Sequence, residues 1–91
     1  MSQKAQSTVT IINRLGLHAR PAMTFVDAAQ GFACSVKVTK DELTVDGKSI
    51  MEMMMLAATK GTKLDICCEG DDAEDCLGSL EKLVSDGFGE D

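Results

Sequence analysis

Phe32-Ala33-Cys34-Ser35-Val36-Lys37-Val38-Thr39-Lys40-Asp41-Glu42-Leu43-Thr44-Val45-Asp46 is the stretch that decides the fold. From Phe32 to Thr39 apolar and polar residues alternate, putting Phe32, Cys34, Val36 and Val38 on one face, the period of a half-buried strand. Lys40-Asp41-Glu42 turns the chain, and Leu43-Thr44-Val45 makes a short second strand closed by Asp46-Gly47. The pair reads as an antiparallel hairpin with one face for a core and one for water.

Elements on either side supply that core. Ala19, Ala22, Met23, Val26 and Ala29 recur at helical spacing between Ala19 and Gln30, and Gly31 stops the helix. Thr8-Val9-Thr10-Ile11-Ile12 alternates as a strand, joined to that helix by a turn over 13–17. Beyond the hairpin, Ser49-Ile50-Met51-Glu52 has the form of a capping box, opening a helix that runs to about Thr59 and ends at Gly61. Of its methionines, spacing turns Met53, with Leu56, inward and leaves Met51, Met54 and Met55 near solvent. Leu64, Ile66 and Cys68 face inward from a further strand. Asp71 and Asp72 open a last helix with the stripe Ala73, Cys76, Leu77, Leu80, Leu83 and Val84. Gly87 ends it, and Phe88 staples the tail. The order βαββαβα predicts one α+β domain over residues 1–91. It is a two-layer open-faced sandwich, a four-stranded antiparallel sheet covered on one face by three helices.

Composition removes several function classes. With 91 residues, 44% hydrophobic and 26% charged, the chain is an ordinary small globular domain. No apolar run approaches the roughly 18–20 residues of a membrane span, and residues 1–8 hold no signal-peptide core, so a cytoplasmic location and no membrane insertion are expected. A net charge of −6, three Phe, no Trp and no Tyr argue against a nucleic-acid partner. Eight basic and five acidic side chains fall in residues 1–64, against Lys82 and ten acids in 65–91, so an anionic substrate belongs with the first part of the chain. Cys34, Cys67, Cys68 and Cys76 include no C-x-x-C pair, and Cys67 and Cys68 point to opposite faces of a strand. They read as buried free thiols, with no metal and no cofactor.

His18 is the only imidazole, and it stands directly before a helix with Arg20 and Pro21 in the first turn. A helix N-terminus has unpaired N–H groups and a partial positive charge. Pro21 fits there because its missing N–H breaks no helical bond. A phosphoryl group on the His18 ring can accept hydrogen bonds from the Ala19 and Arg20 main-chain N–H groups, with a charge-assisted bond from the Arg20 guanidinium. The pattern suits a histidine nucleophile that takes up a phosphoryl group reversibly.

Leu17-His18-Ala19-Arg20-Pro21-Ala22 resembles the active-site segment of the HPr family, the histidine phosphocarriers of the bacterial phosphoenolpyruvate-dependent phosphotransferase system. Lys48-Ser49-Ile50-Met51 resembles that family's second signature, and the element order matches over nearly the whole chain. The ending Asp86-Gly87-Phe88-Gly89-Glu90-Asp91 is more similar to the nitrogen-related branch of the family, whereas Lys48-Ser49-Ile50-Met51 leans toward the sugar branch.

The resemblance implies a relay. Enzyme I passes a phosphoryl group to Nδ1 of His18, and phospho-His18 passes it to a histidine of an enzyme IIA, so the protein is a stoichiometric intermediate rather than a turnover enzyme. Both partners dock on one apolar patch, here Met23, Ile50, Met51 and Met54, and a monomer is expected because His18 faces each in turn. Ser49 matches a serine that an HPr kinase/phosphorylase modifies in part of the family, although Glu52 stands where the family usually has Gly. Asp27 and Glu52 are acidic where many relatives place Lys or Gly along the docking rim. An alternative role within the family is signalling of carbon or nitrogen status through the phosphorylation state.

Other classes fit less well. A small hydrolase of acylphosphatase size needs a water-orienting amide near Arg20, and Asn13 is the only asparagine. A pure binding module has no need of a nucleophile. Gly47-Lys48-Ser49 lacks the earlier glycine of a phosphate-binding loop, with Glu42 in its place, so the chain is not an NTPase.

Overall fold

A computed structural model describes residues 3–90. The elements run β1 (Gln3–Thr10), α1 (Ala19–Gln30), β2 (Ser35–Lys40), β3 (Leu43–Asp46), α2 (Ile50–Met55), β4 (Lys63–Gly70) and α3 (Ala73–Ser85), followed by a short 3₁₀ turn, Gly87–Gly89. This is the expected order, and the sheet is fully antiparallel with strand order β1-β4-β2-β3. Val36, Val38, Val45, Leu64, Ile66 and Cys68 are buried beneath the helices, against Phe25, Val26, Met53, Leu80 and Val84. Lys37, Asp65 and Glu69 alternate with them onto the open face.

The three largest boundary differences from the expectation each have a local reason. β1 begins at Gln3 rather than Thr8, because its full length pairs with β4, from Gln3 opposite Gly70 to Thr10 opposite Lys63. Backbone pairing carries a polar segment that shows little apolar alternation. β2 begins at Ser35 rather than Phe32, since the N–H groups of Ala33 and Cys34 donate to the Asp72 carboxylate at 2.8 and 2.9 Å. That carboxylate is held below its ordinary value, chiefly by these backbone donors.

The third boundary is α2, which stops at Met55 rather than near Thr59. The Lys40 ammonium donates to the Leu56 carbonyl at 3.0 Å, Ala57 takes a left-handed conformation (φ 47°), and the Ala58 carbonyl accepts from the Leu17 N–H at 2.8 Å. The capping box forms by half. Ser49 Oγ accepts from the Glu52 N–H at 3.3 Å, but the Glu52 carboxylate accepts from Asp46 N–H at 3.0 Å instead of returning to Ser49. Met53 and Leu56 are buried, and Met51, Met54 and Met55 are exposed, as spacing predicts.

Gly16 makes the staple at Leu17 possible. It has φ 70°, and a Cβ there would lie 2.5 Å from the Ala58 carbonyl oxygen. Gly16→Ala is therefore expected to destabilise the domain by about 2 kcal/mol or more. Gly78, exposed within α3 with open space around it, is the contrasting case. Gly78→Ala is expected to stabilise by roughly 0.5–1 kcal/mol. Thermal unfolding of the two variants beside wild type should show midpoints moving in opposite directions.

Candidate functional site

His18 occupies the N-cap of α1 in an extended conformation (φ −79°, ψ −173°), and its side chain makes no capping bond. The first helical bond runs from the Ala22 N–H to the His18 carbonyl at 3.0 Å. The Ala19 and Arg20 N–H groups lie ahead of it and find no acceptor among the described residues, while Pro21 has none to offer. Arg20 stands beside them with its side chain 80% exposed. Arg14, Leu15, His18, Arg20, Gly89 and Glu90 line an open concavity of about 320 Å³, which brings a second arginine to the site.

The residue the sequence gives no hint of is Glu90. Its Oε1 lies 3.0 Å from His18 Nε2 and accepts from Asn13 Nδ2 at 3.1 Å, and its Oε2 lies 3.9 Å from Arg20. Asn13 is buried and also donates to the Gly16 carbonyl at 2.7 Å, so its Nδ2 group ties Glu90 to the turn. The hydrogen bond from His18 is the main cause holding the Glu90 carboxyl below its ordinary range, with further help from Asn13 and the nearby Arg20 charge. A carboxylate only accepts, so the proton lies on Nε2, and in the neutral ring the lone pair is on Nδ1. The tail reaches the site through the 3₁₀ turn, where Gly87, Phe88 and Gly89 all have positive φ. Two glycines bracketing an aromatic residue were the available signal for this reversal.

The second candidate group lies on α2 and the facing part of α1. Met23, Ile50, Met51 and Met54 are exposed, Met51 by 79%, and Leu15 and Met55 are exposed as well. Ser49 caps α2 as expected. The cysteines divide differently. Cys67 is half-buried, whereas Cys34, Cys68 and Cys76 are buried and converge from the chain before β2, from β4 and from α3. Their sequence spacing carries no sign of this meeting.

The pattern described as the PTS HPr component phosphorylation site matches residues 5–86. The phosphocarrier protein HPr of Pseudomonas aeruginosa is 49% identical over 83 residues, 90% of this chain and 92% of that protein. The phosphocarrier protein NPr of Escherichia coli is 37% identical over 87 residues, 94% of this chain and 97% of that protein. A crystal structure of an HPr from Thermoanaerobacter tengcongensis superposes with a TM-score of 0.92 at 40% identity, covering 96% of this chain and 98% of that one.

Glu90 gives the site a pH signature. With its carboxyl held below the ordinary value of 4.5, the contribution of Glu90 to stability is complete above that pH and fades as the pH falls through the depressed value. The stability difference between wild type and Glu90→Ala should accordingly shrink toward zero in acid. At neutral pH, nitrogen NMR of the His18 ring should show more of the Nδ1–H tautomer in Glu90→Ala than in wild type.

Proposed function

This chain belongs to the HPr family of phosphocarriers of the phosphotransferase system, which relay a phosphoryl group rather than turn over a free substrate, and on that premise we propose that His18 Nδ1 takes the group from phosphorylated enzyme I and gives it to a histidine of an enzyme IIA. The observation that carries the reading is the His18–Glu90 hydrogen bond, which directs the Nδ1 lone pair at the incoming phosphorus while Nε2 keeps its proton. On uptake a bond to phosphorus forms at Nδ1 as the bond to the donor breaks, and on donation the Nδ1–phosphorus bond breaks as one forms to the acceptor histidine. The unpaired Ala19 and Arg20 N–H groups donate to the phosphoryl oxygens, and the exposed Arg20 guanidinium swings from its loose 3.9 Å approach to Glu90 onto the added charge. Positioning and electrostatics of this kind supply most of phosphoryl-transfer catalysis.

Met23, Ile50, Met51 and Met54 form the docking patch for both partners. Unbranched thioether side chains re-pack readily, which suits a surface that meets two different proteins. Greater identity to the P. aeruginosa HPr than to the E. coli NPr, together with Lys48-Ser49-Ile50-Met51, favours the transport role over nitrogen or carbon signalling. We place the protein in the cytoplasm as a monomer; no helix among the described residues is long and apolar enough to cross a membrane. Ser49 is a second modification site, for an HPr kinase/phosphorylase, where Glu52 opposes the added phosphate by like charge.

Intact-protein mass after incubation with phosphoenolpyruvate, magnesium and enzyme I tests the relay. One acid-labile phosphoryl group is expected on wild type and none on His18→Ala, and Arg20→Ala should be slowed by roughly 10²-fold. An unmodified wild type would overturn the assignment. For Ser49, the purified kinase should modify Glu52→Gly faster than wild type, and equal rates would remove Glu52 from the account.

A further inference from the structure

Cys34, Cys68 and Cys76 are buried, and their three Sγ atoms lie within 4.8 Å of one another. Three separate constraints hold them there. The Asp72 carboxylate binds the N–H groups of Ala33 and Cys34, tying the chain before β2 to the start of α3. Cys76 sits in the first turn of α3, its N–H bonded to the Asp72 carbonyl at 3.0 Å. Cys68 is fixed by the β2–β4 register, opposite Val36. Gly70 completes the arrangement, because a Cβ on it would lie 2.7 Å from the Cys34 Cα and force the two segments apart.

We propose that Cys34, Cys68 and Cys76 form a three-sulfur site for a single soft, thiophilic metal ion, best matched by Cu(I). Thiolate sulfur is the donor that selects soft ions. Zinc in structural sites takes four donors in a tetrahedron, and no fourth His, Cys, Asp or Glu joins this cluster among the described residues. Asp72, the N-cap residue of α3, already has its two oxygens on backbone N–H groups. Cu(I) needs no fourth ligand. Its binding is a substitution at sulfur in which each copper–thiolate bond formed breaks one S–H bond and releases one proton, with no change of oxidation state.

Without metal the thiols are neutral, since burial pushes Cys34 up to about 12 and Cys68 and Cys76 up to about 11. Proton release therefore accompanies loading, and affinity rises with pH. The positive end of α3, which carries Cys76, partly offsets the negative charge that the thiolates acquire.

The site lies beyond the C-terminal end of α1, and His18 lies at its N-terminal end, about 18 Å away along a 12-residue helix. Metal loading and phosphoryl transfer are thus separable, and failure of one leaves the other standing. The exposed methionines offer copper a competing location that the experiment has to distinguish.

The test is anaerobic titration of the full chain with Cu(I) against a chromophoric Cu(I) chelator, read by thiolate-to-copper absorption in the near ultraviolet and by backbone amide NMR. Saturation at one equivalent is expected. Shifts should centre on residues 33–34, 68–70 and 72–76 and leave His18 unmoved. Cys67→Ser should bind as wild type does, and Cys76→Ser at least tenfold more weakly. No saturable absorption, shifts centred on Met51–Met55 or on Cys67, or equal affinity in Cys76→Ser would each overturn the proposal. The shift map needs only wild type, so a poorly folding variant leaves the question decidable.

Discussion

One backbone hydrogen bond, from the Leu17 N–H to the Ala58 carbonyl, fixes where α1 begins and with it everything the site does. Leu17 is itself buried, so the bond and the side chain anchor the same residue. His18, the next residue, is left in extended backbone with its ring uninvolved in capping and the N–H groups of the next two residues unpaired. The bond needs Gly16 in a conformation that other residues resist, and it needs α2 to have ended so that Ala58 can turn its carbonyl toward the turn. The short second helix is thus part of how His18 is presented.

The architecture was legible because each element carries its own period. Alternation marks β2 and β3, three-and-four spacing marks α1 and α3, and the order βαββαβα leaves one economical way to layer them. Elements whose register comes from a partner strand were less legible. Gln3 to Ser7 joins β1 through the ladder to β4, with no apolar stripe of its own. The capping box shows the same limit at a smaller scale. Ser49 was readable from its position, but the partner of Glu52 depends on where the β3 exit places the Asp46 N–H.

Local motifs exposed His18, Arg20 and the unpaired N–H groups of Ala19 and Arg20 because all lie within three consecutive residues. Glu90 was illegible for the opposite reason, being 72 residues from the ring it orients and brought there by a glycine-dependent reversal after α3. The three converging cysteines come from three elements, and sequence spacing places only ligands that share one element or loop. The acidic end of the chain, which reads as a solvated face, gives up one member to the most basic part of the molecule.

The contacts joining the two ends of the chain also bear on synthesis. Thr8 meets Asp65, Ser7 meets Glu81, and Asn13 and His18 meet Glu90, at sequence separations of 57, 74, 77 and 72. A nascent chain on the ribosome therefore cannot pair β1 until β4 has emerged, nor fix the His18 tautomer until Glu90 has been added. Non-local pairing of this kind makes folding slow relative to helical domains of similar size. It also orders events, because β4 is available to close the sheet before Glu90 is available to orient His18. Translation thus leaves the His18 ring without its orienting carboxylate until 72 further residues have been added, well after the first helix has emerged.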